Sequence, residues 1–129
     1  MKPILLILEG MDKSGKTTII NYINKKTNYT PLILDRGPIG YKVYSELYNK
    51  ETTPSDYDAL EKELCKIKHL CVYLYAFEKD IQTRCLLTNE PKIDNGIAWH
   101  LQTYQKYYEA SSLNKIKINT SSKTFEEIF

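Results

Sequence analysis

A glycine-rich segment near the amino terminus carries the clearest chemistry in this sequence. Residues 10–17 read Gly-Met-Asp-Lys-Ser-Gly-Lys-Thr and follow directly on an apolar run at residues 4–8. The Gly-x-x-x-x-Gly-Lys-Thr spacing lets the backbone curl so that several N–H groups face one anion, at the positive end of the next helix. Residues 10–17, called the phosphate loop below, therefore predict a binding site for a nucleoside triphosphate.

Separate tasks are expected of the side chains in the phosphate loop. Lys16 should reach the β- and γ-phosphates, and the Thr17 hydroxyl should bind Mg²⁺. Asp12 and Lys13 occupy variable positions, where they could contact an acceptor sugar and a transferred phosphate or simply lie in solvent. The predicted nucleotide-binding residues are Gly10, Met11, Asp12, Lys13, Ser14, Gly15, Lys16, Thr17 and Thr18.

A charged pair ends the second apolar run, residues 30–34. Open α/β sheets bind ligands beyond the carboxyl ends of their strands, so Asp35 is predicted to hold Mg²⁺ together with Thr17, directly or through water. Arg36 is one of two arginines beside 16 lysines. Because only arginine grips phosphate bidentately, Arg36 is expected to clamp a phosphate group. The alternative is an exposed Asp-Arg turn.

The other arginine, Arg84, lies on a predicted helix at residues 79–87, before the polar loop 88–95. Two helices joined by a polar loop suit a lid over residues 84–96, which would bring a cation to the phosphoryl group and exclude water. A helix-face arginine in solvent is the alternative. The predicted catalytic residues are Lys16, Asp35, Arg36 and Arg84.

Several other polar and aromatic residues are weaker candidates. Glu9, at the end of the first apolar run, could serve the acceptor site or the Mg²⁺ shell. Three tyrosines at helical spacing could stack on a base or pack in the core, with Tyr41 the most suited to face a ligand. The three are Tyr41, Tyr44 and Tyr48. Packing is expected of Trp99, and a surface position of His100.

Hydrophobic periodicity predicts strands that alternate with helices. The predicted strands are residues 4–8, 30–34, 70–76 and 115–118. The predicted helices cover residues 15–26, 40–49, 79–87 and 95–110, with others starting at Thr53-Pro54 and near Lys123. The helix after Thr53 is expected to bury Tyr57, Leu60, Leu64 and Ile67. This order predicts an α/β fold. Together with the phosphate loop it predicts a P-loop NTPase three-layer sandwich, with a roughly four-stranded parallel sheet flanked by helices.

Composition limits the remaining possibilities. The 129 residues suit a single domain, and a net charge of +2 gives no reason to expect a nucleic-acid or membrane partner. No apolar run approaches the length of a transmembrane helix. Cys65, Cys71 and Cys85 lack metal-ligand spacing and are expected to be reduced core residues, which favours a cytoplasmic location. Whether the chain forms a homodimer is left open.

Taken together, these segments resemble the thymidylate kinase family of P-loop nucleoside monophosphate kinases. The matching pieces are residues 8–18, Leu34-Asp35-Arg36, the stretch around Arg84, and Lys-Ile-Lys-Ile-Asn-Thr at 115–120. The resemblance implies that Asp12 contacts the acceptor sugar and Lys13 the phosphates, and that Asp35 and Arg36 serve Mg²⁺ and the acceptor phosphate. The chain departs from the family between Lys26 and Asp35, where family members carry a strand and helices that form part of the base pocket.

The leading hypothesis is ATP-dependent phosphoryl transfer to a (deoxy)nucleoside monophosphate, dTMP or a related deoxynucleotide. Its cofactors would be ATP and Mg²⁺, and its partner a small-molecule nucleotide acceptor. One alternative is a kinase acting on a deoxynucleoside or a polynucleotide 5′-hydroxyl, with Glu9, Asp12 or Asp35 as the base. Another is a nucleotide-binding module without turnover.

Overall fold

The computed structural model describes residues 4–48, 51–88, 93 and 95–121. The strands are β1 (Leu5–Glu9), β2 (Leu32–Asp35), β3 (His69–Tyr75) and β4 (Lys115–Asn119). The helices are α1 (Lys16–Thr27), α2 (Pro38–Tyr48), α3 (Asp58–Cys65), α4 (Glu78–Leu87) and α5 (Gly96–Ala110), with a short 3-10 helix at Pro54–Tyr57. The predicted strand–helix alternation is confirmed.

The four strands form one parallel sheet in the order β2-β1-β3-β4. Because all strands run the same way, their carboxyl ends lie along one edge of the sheet. Leu8 of β1 pairs with Asp35 of β2, and Glu9 pairs with Tyr73 of β3. The predicted α/β class with a four-stranded parallel sheet is confirmed, and its topology brings Glu9, Asp35 and the phosphate loop to the same edge.

Successive residues of a strand point to opposite sides of the sheet, so apolar side chains lie on both faces. Helices cover both faces and bury these side chains. On one face, Ile19 and Ile23 of α1 pack with Leu8 and Leu74. On the other face, α2 and α5 pack over a larger cluster, whose fully buried members include Ile7, Ile39, Val43, Cys71 and Tyr104. This three-layer arrangement holds the end of β1 rigidly between two cores.

The buried stripe predicted for the helix after Thr53 is confirmed at Leu64, is only half-buried at Tyr57, and is wrong at Leu60 and Ile67. Leu64 is buried, whereas Leu60 is 37% exposed and Ile67 is 53% exposed. Glu61 is buried instead, and its carboxylate accepts a hydrogen bond of 2.5 Å from Ser111. The segment opens with a 3-10 helix, which has three residues per turn, so the phase of the α-helix behind it is shifted.

Other differences are local. β2 begins at Leu32 rather than residue 30, because α1 ends with Asn28 and Tyr29 in the left-handed conformation (φ 54° and 60°). His100 is buried, with 4% exposure, and Cys65 is exposed, so both expectations for these residues are wrong. The helix predicted near Lys123 lies outside the described residues, as do residues 89–92 and 94 of the predicted lid. No helix in the described ranges is long and apolar enough to cross a membrane.

Candidate nucleotide-binding site

The phosphate loop connects β1 to α1 and depends on two glycines. Gly10 has φ 153° and Gly15 has φ 96°, values that side chains disfavour. A Cβ atom on Gly10 would lie 2.5 Å from the Ser14 hydroxyl oxygen and 2.6 Å from the Leu74 carbonyl oxygen. The Ser14 N–H donates to the Met11 carbonyl at 3.1 Å and closes the turn. α1 then begins at Lys16, which puts its unpaired first N–H groups beside the loop.

Side chains of the phosphate loop point in different directions. Met11 and Ser14 are buried in the protein, so any ligand contact from them would come through their backbone. Asp12, Thr17 and Thr18 are exposed. The phosphate loop therefore offers a few polar side chains to solvent, while its Met11 and Ser14 side chains pack into the protein.

The Lys16 ammonium group and the Asp35 carboxylate form an ion pair at 2.6 Å. The Lys16 side chain is 12% exposed, and that of Asp35 is 59% exposed. The parallel pairing of β1 with β2 brings these residues together across 19 positions of sequence. Asp35 thus lies beside the phosphate loop, with more than half of its side chain open to solvent.

Mg²⁺ could be held here only with ligands from the nucleotide. In the described ranges, no group of three or more His, Cys, Asp or Glu residues could hold a metal ion. Mg²⁺ usually takes one or two protein oxygens and completes its shell with phosphate oxygens and water. The Thr17 hydroxyl and the Asp35 carboxylate, both exposed beside the loop, suit that partial set.

Arg36 is held in an unusual conformation next to this pair. It has φ 75°, a left-handed value that is costly for a residue other than glycine, and its N–H donates to the Leu8 carbonyl at 2.8 Å. Its guanidinium carbon lies 4.1 Å from the centre of the Tyr44 ring. Burial alone would lower the pKa of Arg36, but Tyr44, Tyr104, Asp12 and Glu9 outweigh it and raise that pKa. Arg36 is therefore a fixed cation stacked on an aromatic ring.

Glu9, the last residue of β1, is fully buried. Its carboxylate lies beneath Arg36, against the first turn of α2. Its Oε2 atom accepts a hydrogen bond of 2.9 Å from the Gly40 N–H, and its Oε1 atom has no hydrogen-bond partner among the described residues. Burial raises the pKa of Glu9 to about 7, although the N–H groups of Gly40 and Gly37 and the charges of Lys16 and Arg36 oppose the rise. Because Glu9 has no exposed surface, it can support Arg36 and Gly40 only from inside the protein.

Gly40 leaves the space in which Glu9 and Arg36 meet. A Cβ atom on Gly40 would lie 2.4 Å from Cγ of Arg36 and 2.6 Å from Oε1 of Glu9. Both distances are far below van der Waals contact, so any larger residue at position 40 would displace the side chains of both Arg36 and Glu9. Gly40 is a site residue that the sequence analysis missed, because a glycine inside a helical pattern gives no sign of what packs against it.

Arg84 contacts the outside of the phosphate loop. Its Nη1 atom donates to the Lys13 carbonyl at 2.7 Å and to the Thr120 hydroxyl at 3.3 Å, and its Nη2 atom donates to the Thr120 carbonyl at 3.4 Å. Thr120 directly follows β4 and was also missed. Its signal in the sequence was its position just beyond a predicted strand, at the edge where the phosphate loop lies.

The tyrosines of α2 divide between two surroundings. Tyr44 lies against Arg36, with its ring 6.1 Å from Tyr48 and 6.5 Å from Tyr104. The Tyr104 hydroxyl donates to the Gly10 carbonyl at 3.2 Å, which links α5 to the phosphate loop. Tyr41 packs 5.4 Å from Tyr57. Tyr44 is thus the tyrosine of this set that contacts a candidate site residue.

A solved structure shares the fold of this chain. The YorR protein of Bacillus subtilis, crystallised in complex with phosphorylated GDP, matches with a TM-score of 0.70. The two sequences are 21% identical, and the match covers 96% of this chain and 90% of YorR. No protein-family model and no curated protein sequence matches the chain. The chain therefore shares its α/β fold, a parallel sheet between two layers of helices, with a protein that was crystallised with phosphorylated GDP.

Proposed function

We propose that this protein is a nucleotide kinase, which transfers the γ-phosphoryl group of ATP to a (deoxy)nucleoside monophosphate. The observation that carries the proposal is the arrangement at the carboxyl edge of the sheet. Three features lie together there: the phosphate loop with its two glycines, the Lys16–Asp35 ion pair, and the Arg36 guanidinium stacked on Tyr44. The fold shared with YorR, whose crystals contained phosphorylated GDP, supports a nucleotide as ligand.

The donor would bind at the phosphate loop. Backbone N–H groups of residues 10–17 and the Lys16 ammonium group would hold the β- and γ-phosphates. Mg²⁺ held by Thr17 and Asp35 would neutralise phosphate charge when bound. The phosphates carry more negative charge than one carboxylate. Lys16 would therefore leave its ion pair with Asp35 and bind the nucleotide phosphates instead.

The acceptor would lie on the Arg36 side of the loop. Arg36 offers a planar fork for a phosphate group, and Asp12 is exposed nearby as a hydrogen-bond acceptor for a sugar hydroxyl. In the transfer, the bond between the γ-phosphorus and the β–γ bridging oxygen breaks, and an acceptor phosphate oxygen bonds to the γ-phosphorus. An ionised acceptor phosphate gives up no proton, so this chemistry needs positioning and charge but no protein base.

The experiment is a product assay with ATP, Mg²⁺ and a panel of acceptors. The panel should contain dTMP, dGMP, GMP, dCMP and dAMP, with thymidine and a 5′-hydroxyl oligonucleotide beside them. We expect diphosphate product from one or more monophosphates, with dTMP or a related deoxynucleotide preferred. Binding of ATP without any product would instead favour a nucleotide-binding module, and absence of ATP binding would contradict the proposal.

A hydroxyl acceptor is the second candidate, and one observation favours it. Its transfer needs a carboxylate base that reaches the hydroxyl. Asp35 meets that need, since its side chain is 59% exposed beside the loop lysine, whereas Glu9 is fully buried. Phosphorylation of thymidine or of the oligonucleotide in the same panel would establish this candidate.

A further inference from the structure

The outer surface of the phosphate loop is fastened to the ends of α4 and β4 by two side chains. Arg84 donates to the Lys13 carbonyl at 2.7 Å, and the Thr120 hydroxyl donates to the Ser14 carbonyl at 2.8 Å. Arg84 also donates to the hydroxyl and the carbonyl of Thr120. The Thr120 N–H is itself fixed to the Tyr75 carbonyl of β3 at 2.7 Å.

We propose that Arg84 and Thr120 form a clamp that sets the phosphate loop in its anion-binding shape before the nucleotide arrives. Both are positioning residues in this role, since they hold backbone carbonyls and not the phosphates. The proposal rests on the proposed function, because the loop is taken to bind a nucleotide.

Peptide geometry explains how a contact on the outside can aim groups on the inside. A trans peptide unit is planar, so its N–H points away from its C=O. Holding the Ser14 oxygen towards Thr120 therefore turns the Gly15 N–H to the opposite side of the loop. Holding the Lys13 oxygen towards Arg84 similarly turns the Ser14 N–H towards the Met11 carbonyl, to which it donates.

The clamp lies directly beside Gly15. A hydroxyl carries a single hydrogen, so Thr120 donates to Ser14, the shorter of its two carbonyl contacts, while it accepts from Arg84. A Cβ atom on Gly15 would lie 3.7 Å from the Thr120 methyl carbon. Because glycine loses the most conformational freedom on ordering, fixing this position beforehand lowers the entropic cost of binding.

The clamp and a lid role for Arg84 predict different kinetics. An arginine that meets the phosphoryl group only on lid closure would change kcat more than ATP affinity. A clamp that pre-orders the loop would change ATP affinity and KM, and kcat at saturating ATP would stay near the wild-type value, since bound phosphates then order the loop themselves.

The test compares Thr120→Val, Thr120→Ser, Arg84→Lys and the control Thr83→Val in titrations with ATP and Mg²⁺. Thr120→Val keeps the shape and removes the hydroxyl, so we expect Kd to rise about 3- to 10-fold, the range of one lost hydrogen bond. Thr120→Ser should restore affinity to within about twofold, a rescue that shape alone would not give.

Thr83 lies next to Arg84, and its hydroxyl donates to the Lys79 carbonyl of its own helix. Thr83→Val should therefore bind like the wild type.

Hydrogen exchange on the ligand-free protein gives a second, independent measurement. The Ser14 amide, which donates to the Met11 carbonyl, should exchange faster in Thr120→Val than in the wild type, the serine variant and the control. Unchanged Kd and unchanged exchange in Thr120→Val would overturn the clamp, as would a loss of kcat in Arg84→Lys with unaltered ATP affinity. If the wild type binds no ATP, the proposed function fails instead, and the exchange rates still decide whether the clamp exists.

Discussion

The Lys16 ammonium group lies 2.6 Å from the Asp35 carboxylate, so the loop lysine is paired with the end of β2. The pair is partly exposed and contributes little to stability. Under the proposed function, an incoming triphosphate would draw Lys16 away from Asp35, and the Asp35 carboxylate would then be available to Mg²⁺. Both residues are therefore predicted to matter more for turnover than for folding.

Replacing Lys16 by alanine should abolish transfer and leave the fold intact. One lost contact to the transferring phosphoryl group costs about 3 kcal/mol or more, by analogy with a lost oxyanion-hole donor, so the rate should fall at least about 100-fold. The measurement is product formation together with thermal unfolding. Lys25→Ala, an exposed lysine at the far end of α1, is the control and should react normally. Unchanged turnover in Lys16→Ala would contradict the kinase proposal.

Replacing Arg36 by lysine should impair acceptor use and leave donor binding almost unchanged. A lysine keeps the charge but loses the planar fork and the stacking on Tyr44. KM for the monophosphate should rise and kcat should fall, whereas Kd for ATP should stay within about twofold. Equal losses in ATP affinity and in rate would show that Arg36 also binds the donor. No loss in either would show that Arg36 takes no part in binding or transfer.

Replacing Gly40 by alanine should damage the acceptor side through a single methyl group. The new Cβ would lie 2.4 Å from Arg36 and 2.6 Å from Glu9, so both side chains must move. Overpacking of this kind costs about 1–3 kcal/mol of stability. We expect a lower melting temperature and a raised monophosphate KM, with ATP affinity retained. A variant that keeps wild-type stability and KM would show that the space around Gly40 is not needed.

Replacing Glu9 by glutamine should remove a pH dependence of stability. The folded-state pKa of Glu9 is about 7, above the ordinary value of 4.5, so the folded protein holds this proton more tightly than the unfolded chain. The stabilisation is complete below pH 4.5 and is lost as pH rises through 7, by about 3 kcal/mol in total. Denaturant unfolding at several pH values should show this decline in the wild type relative to Glu9→Gln. Parallel pH profiles for the two proteins would reject a raised pKa.

Local patterns in the sequence were sufficient for the phosphate loop and for the order of elements. Glycine spacing before Lys16 determines the loop because only glycine accepts the φ values found at Gly10 and Gly15. Alternating apolar runs and helical periods determine a parallel sheet, since parallel strands need helical crossovers. These features depend on residues close together in the chain, so they can be inferred without coordinates.

The tertiary structure alone decided which distant groups meet. Glu9 lies under Gly40, Thr120 reaches the Ser14 carbonyl, and Arg84 reaches Lys13, across 31, 106 and 71 positions of sequence respectively. Helical periodicity likewise failed after Thr53, where a 3-10 turn shifted the buried face and put Glu61 inside. Contacts of this kind follow from strand order, helix phase and packing, and a one-dimensional pattern of residue types does not specify those quantities.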